Sequence, residues 1–284
     1  MSQSKFNIAV AIVAMITFSP FACELQAQST SHGSRMEQKN MVKHDMKKTV
    51  AKSNQAIKPF AFIELFTSEG CSSCPSADRN LERIAKQAKA NGENVYTLSY
   101  HVDYWNYLGW KDPYSSKSFS TRQRLYAQQF DSDRVYTPQM VVNGKVEFVG
   151  SNQKVSERAV DLALKIKPES NIKLNAVRSR SKVKVDWDAE VMKNDGFLVL
   201  NVALVQNEGK QKVSRGENAR RNLSHVNIVR ELKSVERGAG SGQVEFKLPS
   251  GFSNDDYHVV GFLQSKEGVV AATKSVIADG KMMK

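Results

Sequence analysis

Cysteine is nearly absent from this chain, with three in 284 residues. Cys23 lies in the N-terminal segment, which leaves Cys71 and Cys74 alone in the folded part. So few cysteines exclude a disulfide-dense scaffold. They also count against zinc, which needs two more ligands where no second Cys-x-x-Cys exists. Long apolar runs are scarce too. The run from Ile8 to Phe18 is too short to span a bilayer comfortably, and no later segment is long and apolar enough to cross one. Aromatic residues make up only 8% of the chain, against which Tyr104, Trp105, Tyr107 and Trp110 stand out as a dense patch. Acid is in deficit: 41 Lys and Arg against 29 Asp and Glu give a formal charge of +12.

Residues 1–27 read as an export signal. Lys5 supplies the positive start and Ile8–Phe18 the apolar core, and cleavage is expected after Ala27, with Leu25 and Ala27 at the recognition positions. An uncleaved membrane anchor is the rival reading. Lipid attachment at Cys23 is a third, against which Pro20 counts. Export predicts a periplasmic or secreted protein in a compartment where disulfides persist. There the basic charge suits weak contact with an anionic membrane surface rather than with nucleic acid, and a merely soluble basic surface is plainer still. Residues 28–58 form a basic spacer in which lysines such as Lys39, Lys43, Lys47 and Lys48 outnumber acids and large apolar residues are few.

Phe60–Phe66 is a β-rich run. After the cysteines, Ala77, Leu81, Ile84, Ala85 and Ala88 recur at helical spacing, and Pro75 suits a first helical turn. Val95–His101 reads as a second strand, and Phe119, Tyr126 and Phe130 mark a second helix. Thr137-Pro138 opens a third strand, Gln139–Val142, and Asn143-Gly144 signals a hairpin back through Lys145–Val149. Val155, Ala159, Leu162 and Ile166 mark a last helix. The order β-α-β-α-β-β-α, with Cys-x-x-Cys at the first strand-to-helix junction, predicts an α/β, thioredoxin-like domain over residues 59–168. From residue 169 to 284 the pattern becomes alternating: Val183, Val185 and Trp187, then Val244, Phe246 and Leu248. That predicts a β-rich, antiparallel sandwich-like domain.

Cys71 is expected at a helix N-terminus, where unpaired N–H groups and the dipole favour a thiolate. Cys74, one turn on, is expected to be buried and to resolve a mixed disulfide. A permanent staple is the rival, though so short a loop constrains the unfolded chain little. Thr137-Pro138 is expected to position an extended substrate if its bond is cis. Glu64 alternates with Ile63 and Leu65, which predicts either a buried acid under the helix that moves the resolving thiol's proton, or a solvated strand-end carboxylate. His101 and Asp103 end the second strand at the edge where open α/β sheets place their sites. With Trp105 and Trp110 they are expected to form a substrate-facing rim or an interdomain packing surface. In Arg215–Arg230, the residues Glu217, Asn218, His225, Asn227 and Arg230 form either a solvated loop or a polar network folding back on that edge.

The stretches Glu64-Leu-Phe-Thr-Ser-Glu-Gly-Cys-Ser-Ser-Cys-Pro75, His101-Val-Asp-Tyr-Trp-Asn-Tyr-Leu-Gly-Trp-Lys-Asp-Pro113, Tyr136-Thr-Pro-Gln-Met-Val-Val-Asn-Gly144 and Arg215–Arg230 together resemble an exported bacterial family, the domain-of-unknown-function family 1223. The resemblance implies a thioredoxin-like fold with an added β domain and brings no known reaction. Against ordinary thioredoxins, Gly70 replaces a Trp, and Glu64 stands one residue further from the first cysteine than their buried acid does. The expected function is thiol–disulfide exchange with protein thiols or disulfides of the cell envelope, with no soluble cofactor. The alternatives are Cu(I) binding or delivery through Cys71, Cys74, His101 and Met140, or an envelope interaction protein whose disulfide is inert.

Overall fold

The first strand forms where apolar and β-branched residues are densest, at Ala61–Thr67 (β1), and every one of its residues is buried. The structure, a computed structural model, describes residues 57–168, 170–191, 197–236 and 238–280. The expected export signal, Cys23 and the basic spacer up to residue 56 lie outside the described residues.

Helix α1 (Cys74–Asn91) starts with Pro75 in its first turn, where the missing N–H costs nothing. It stops at Gly92, whose φ of 66° is left-handed. Strand β2 (Val95–His101), α2 (Lys117–Gln129), β3 (Gln139–Val142), β4 (Val146–Val149) and α3 (Gln153–Ala163) follow. Asn143 and Gly144, with φ of 50° and 63°, make the turn between β3 and β4. From Ser170 the described chain is mostly strand: β5 (Ser170–Ser179), β6 (Lys182–Val191), β7 (Val199–Lys212), β8 (Asn222–Glu236), β9 (Gly240–Lys247), β10 (Tyr257–Ser265) and β11 (Gly268–Asp279).

The expected division into a thioredoxin-like α/β domain and a separate antiparallel sandwich is overturned. The strands join one mixed sheet of eleven, in the order β4-β3-β1-β2-β8-β7-β10-β11-β5-β6-β9. Strand β2 runs parallel to β1 on one side and meets β8, through Ser99 and Ile228, on the other. The physical reason lies in the second face of β1. Ile63 and Leu65 point to α1, against Ala77 and Leu81. Phe62 and Phe66 point the other way, into a core shared by Phe119 and Tyr126 of α2, Ala203 and Val205 of β7, and Val260 and Phe262 of β10. The Phe62 and Phe262 rings lie 4.3 Å apart. Burying each such ring is worth about 1.5–3 kcal/mol, so the later strands are drawn onto the first half of the chain. A second core, built on Val183, Val185 and Trp187 with Leu200, Val202, Leu204 and Val259, fills the far end of the sheet.

Candidate functional site

Cys71 and Cys74 are joined in a disulfide, with their Cα atoms 5.4 Å apart. Cys74 opens α1, and Cys71 stands two residues before the N-cap, Ser73. The bond therefore sits at a helix N-terminus, beyond the carboxyl ends of β1 and β2, where orphan N–H groups carry partial positive charge. Ser72 and Ser73 are exposed. The cysteines beneath them are closed off, at 1% and 0% exposure.

A buried polar cluster adjoins the disulfide. Glu69, two residues before Cys71, accepts from the indole N–H of Trp110 at 2.7 Å and faces Nε2 of His225 at 3.2 Å. On the other side of that ring, Nδ1 faces Asp78 Oδ2 at 3.5 Å, an ion-pair contact and not a well-formed hydrogen bond. Asp78 follows Cys74 by one helical turn and so shares its face of α1. Burial alone would lower the His225 pKa, but the Asp78 and Glu69 carboxylates outweigh it and push it up to about 10. At neutral pH the ring is an imidazolium between two acids. The His101 ring meets that of His225 edge-on, 4.6 Å between centroids, and its Nδ1 lies 2.7 Å from Asp112 Oδ2. The same carboxylate oxygen accepts from the Glu69 N–H at 2.9 Å. Burial would raise the Asp112 carboxyl, but His101 and the Glu69 and Tyr114 N–H groups hold it below the usual range.

The Thr137-Pro138 bond is cis. Thr137 is tied to Trp105, whose indole N–H donates to Thr137 Oγ1 at 2.8 Å. Trp105 also presses on the cysteine loop: a Cβ on Gly70 would lie 2.9 Å from the Trp105 Cβ. Glycine is required there because the backbones approach so closely. Trp105 and Trp110 are both half-buried, one beside Gly70 and the other bonded to Glu69.

The tip of the β7–β8 hairpin completes the surroundings. The Asn218 side-chain amide donates to the carbonyls of Cys71 at 2.8 Å and Glu69 at 2.9 Å. The Ser72 N–H donates to Glu217 Oε2 at 2.9 Å. Of the two readings of Arg215–Arg230, folding back on the strand edge holds for Glu217, Asn218 and His225. Asn227 instead donates to Thr97 Oγ1 at 2.6 Å, and Arg230 lies over the Tyr114 ring at 5.0 Å.

Three expectations need correction. Glu64 is fully buried, but it lies with Phe62 and Phe66 on the face of β1 turned to α2, away from Cys74. Its carboxylate is held by Arg122, at 2.6 Å from Nε and 2.9 Å from Nη2, and by the Tyr126 hydroxyl. A strand alternates its side chains between two faces, and α1 covers the other one, so Glu64 is not the acid beside the resolving sulfur. His101 has no exposed surface and cannot touch a partner. Asp103 is occupied by Ser120, whose hydroxyl donates to its Oδ1 and accepts from its N–H; it ties the end of β2 to α2. Sequence reasoning also passed over Glu69, Asp78 and Asp112 as site residues. Asp78 was legible at helical spacing from Cys74; the Asp112 contact depends on how the loop after β2 folds. The set considered for copper is not gathered: the cysteines bond to each other, and no group of three or more His, Cys, Asp or Glu placed to hold a metal occurs among the described residues.

The family described as "Protein of unknown function (DUF1223)" matches residues 62–264, which contain every residue of this site. The chain belongs to this family. The resemblance carried by the four sequence stretches is thereby established, and DUF1223 brings with it no assigned reaction. A crystal structure of a protein from Agrobacterium tumefaciens is similar, with 25% identity and a TM-score of 0.60 over 81% of this chain and 98% of that one. HBP35 of Porphyromonas gingivalis shares the fold at 15% identity and a TM-score of 0.54, over 81% of this chain and 79% of that one. No curated protein matches the chain.

Proposed function

We propose that this DUF1223 chain is a thiol–disulfide oxidoreductase acting on protein partners through Cys71 and Cys74, in the cell envelope as its export-like start suggests. A partner thiolate attacks Cys71 Sγ. A bond forms between the partner sulfur and Cys71, the Cys71–Cys74 bond breaks, and Cys74 leaves as a thiolate that takes up a proton. A second partner thiol then attacks its own mixed sulfur, releasing Cys71 and leaving the partner oxidised. Two electrons and two protons pass to this chain, and the reverse sequence oxidises it. Cys71 is the nucleophile of the reverse reaction and Cys74 its resolving thiol. Thr137-Pro138 is the segment that receives the partner backbone, with half-buried Trp105 and Trp110 as its rim. Asp78 and His225 take the proton-handling role expected of Glu64.

The observation that carries this reading is the buried Glu69–His225–Asp78 cluster set beside a disulfide that closes over two residues. A staple of that span adds little, and charges buried around it are costly unless they serve a purpose. The test is the reduction potential, together with trapping of mixed disulfides by the Cys74→Ala variant. A Cys71 thiol of ordinary reactivity that captures no partner ends the proposal.

A second reading rests on one observation, the near-complete burial of both cysteines. It holds that the disulfide is inert and that the protein works by binding. Full function of a Cys71→Ala, Cys74→Ala double variant favours it and excludes exchange.

A further inference from the structure

The proposed exchange requires contact with Cys71, and Cys71 is 1% exposed. Part of what covers it can be named. The cysteine loop, Gly70–Ser73, is roofed by residues 215–221, the tip of the hairpin between β7 and β8. Three hydrogen bonds fasten the tip, two to that loop and one to Glu69 just before it, and each uses a side chain of the tip and a main-chain group opposite. Asn218 Nδ2 reaches the Cys71 and Glu69 carbonyls at 2.8 and 2.9 Å, and Glu217 Oε2 receives the Ser72 N–H at 2.9 Å. The base of the tip is closed independently by backbone bonds between Val213 and Arg220–Arg221, at 2.8 and 3.0 Å. Asn218 is oriented from within the tip by Arg221 Nη1 at 2.7 Å. The far edge rests loosely on Leu108 and Trp110, from which a Cβ on Gly216 would stand 3.7–3.8 Å away. The tip is thus a self-supporting turn, with Glu217 exposed. The bonds that close its base do not involve the cysteine loop.

We propose that residues 215–221 are a latch over the redox pair, with Glu217 and Asn218 as its catches, and that sulfur exchange proceeds only from the lifted state. This inference rests on the oxidoreductase reading for its purpose, but not for its measurement. In the closed state the catches occupy the Ser72 N–H and the Cys71 carbonyl, main-chain groups that an extended polypeptide lying along the cysteine loop would itself engage. A partner must therefore exchange its own backbone groups for those of the latch, which favours flexible or unfolded chains over rigid surfaces.

The experiment is the rate at which dithiothreitol reduces the disulfide of the intact protein. Where lifting is fast and reversible, the rate follows the population of the open form. Glu217→Ala removes one catch from an exposed position and leaves the fold untouched; it is expected to raise the rate about fivefold to tenfold. Asn218→Ala removes two bonds and is expected to raise it further. A Lys210→Ala control on β7, outside the tip, is expected to react as the parent does. Hydrogen exchange supplies a second readout that needs no variant of the buried Asn218: the Ser72 amide is protected in the parent and loses protection in Glu217→Ala. Unchanged reduction rates in both variants overturn the latch, and so does a Ser72 amide that exchanges freely in the parent. The two proposals fail separately. Faster reduction without any trapped partner keeps the latch and ends the oxidoreductase reading. Trapped partners with unchanged reduction rates do the opposite.

Discussion

Strand β1 presents one buried carboxylate at its middle and leads to a second just past its end, and the two are neutralised by different chemistry. Glu64 is held by the Arg122 guanidinium, 2.6 Å from Nε to Oε1. Guanidinium stays charged across the accessible pH range, and its fork matches a carboxylate. The Glu64 carboxylate in turn overcomes burial and keeps the Arg122 pKa well above its usual value. Glu69 is held by His225, a group that can lose its proton. The first pair is a fixed fastening in the shared core. The second is a titratable one, and it is the one beside the cysteines. Burial is equal in the two places, so burial alone does not distinguish the two acids; the partner's chemistry does.

The largest expected break in this comparison is Arg122→Ala. It strands Glu64 in an apolar layer and is expected to cost about 3–5 kcal/mol in chemical denaturation near neutral pH, while in the parent the pair's contribution is the same at about pH 6 as at about pH 9, because guanidinium does not titrate there. His225→Gln is expected to cost about 2–4 kcal/mol at neutral pH, with a different signature. The folded value of His225, about 10, lies above the ordinary 6.5. The stability it contributes is therefore fully present below about 6.5 and is lost as pH climbs through about 10. The parent should weaken across that window, and the variant's stability should be flat there. Identical slopes would remove the distinction between the two clusters. Trp110→Phe keeps the ring but deletes the N–H bond to Glu69, and a loss of about 1–2 kcal/mol is expected from denaturant midpoints. The smallest change is kinetic. Asp78→Asn should slow release of the mixed disulfide about tenfold near neutral pH and displace its pH profile, as followed by quenched-flow thiol trapping; an unmoved profile leaves Asp78 a structural role only.

Much of the local structure was legible because it depends on near neighbours. Pro75 after Cys74, the helical spacing of Ala77, Leu81 and Ile84, and Asn143-Gly144 each specify geometry within a few residues. What was not legible depends on which surface covers which. Alternation along β1 separates Glu64 from Ile63 and Leu65, yet it does not say which helix lies over each face, so Glu64 was placed with the wrong one. The apolar face of Phe62 and Phe66 requires a cover without naming it, and here β10 supplies Phe262. A uniform alternating pattern also hides the place where β8 changes company. Near Val205 the β7–β8 register shifts, and Asn227 takes a φ of 50°. On the N-terminal side of that irregularity the strand meets β2 at Ile228 and brings His225 to Glu69 and Asp78. A separate sandwich was a fair reading of alternation, but alternation carries no information about which strands meet at their edges.

The disulfide and its covering are far apart along the chain. Cys71 and Cys74 are separated by three positions, whereas Glu69 lies 156 from His225 and Ser72 lies 145 from Glu217. The pairing of the two sulfurs is thus a local matter, whereas their shelter is assembled only when the second half of the chain has joined the sheet. A chain that lacks its later strands would carry the same bond uncovered.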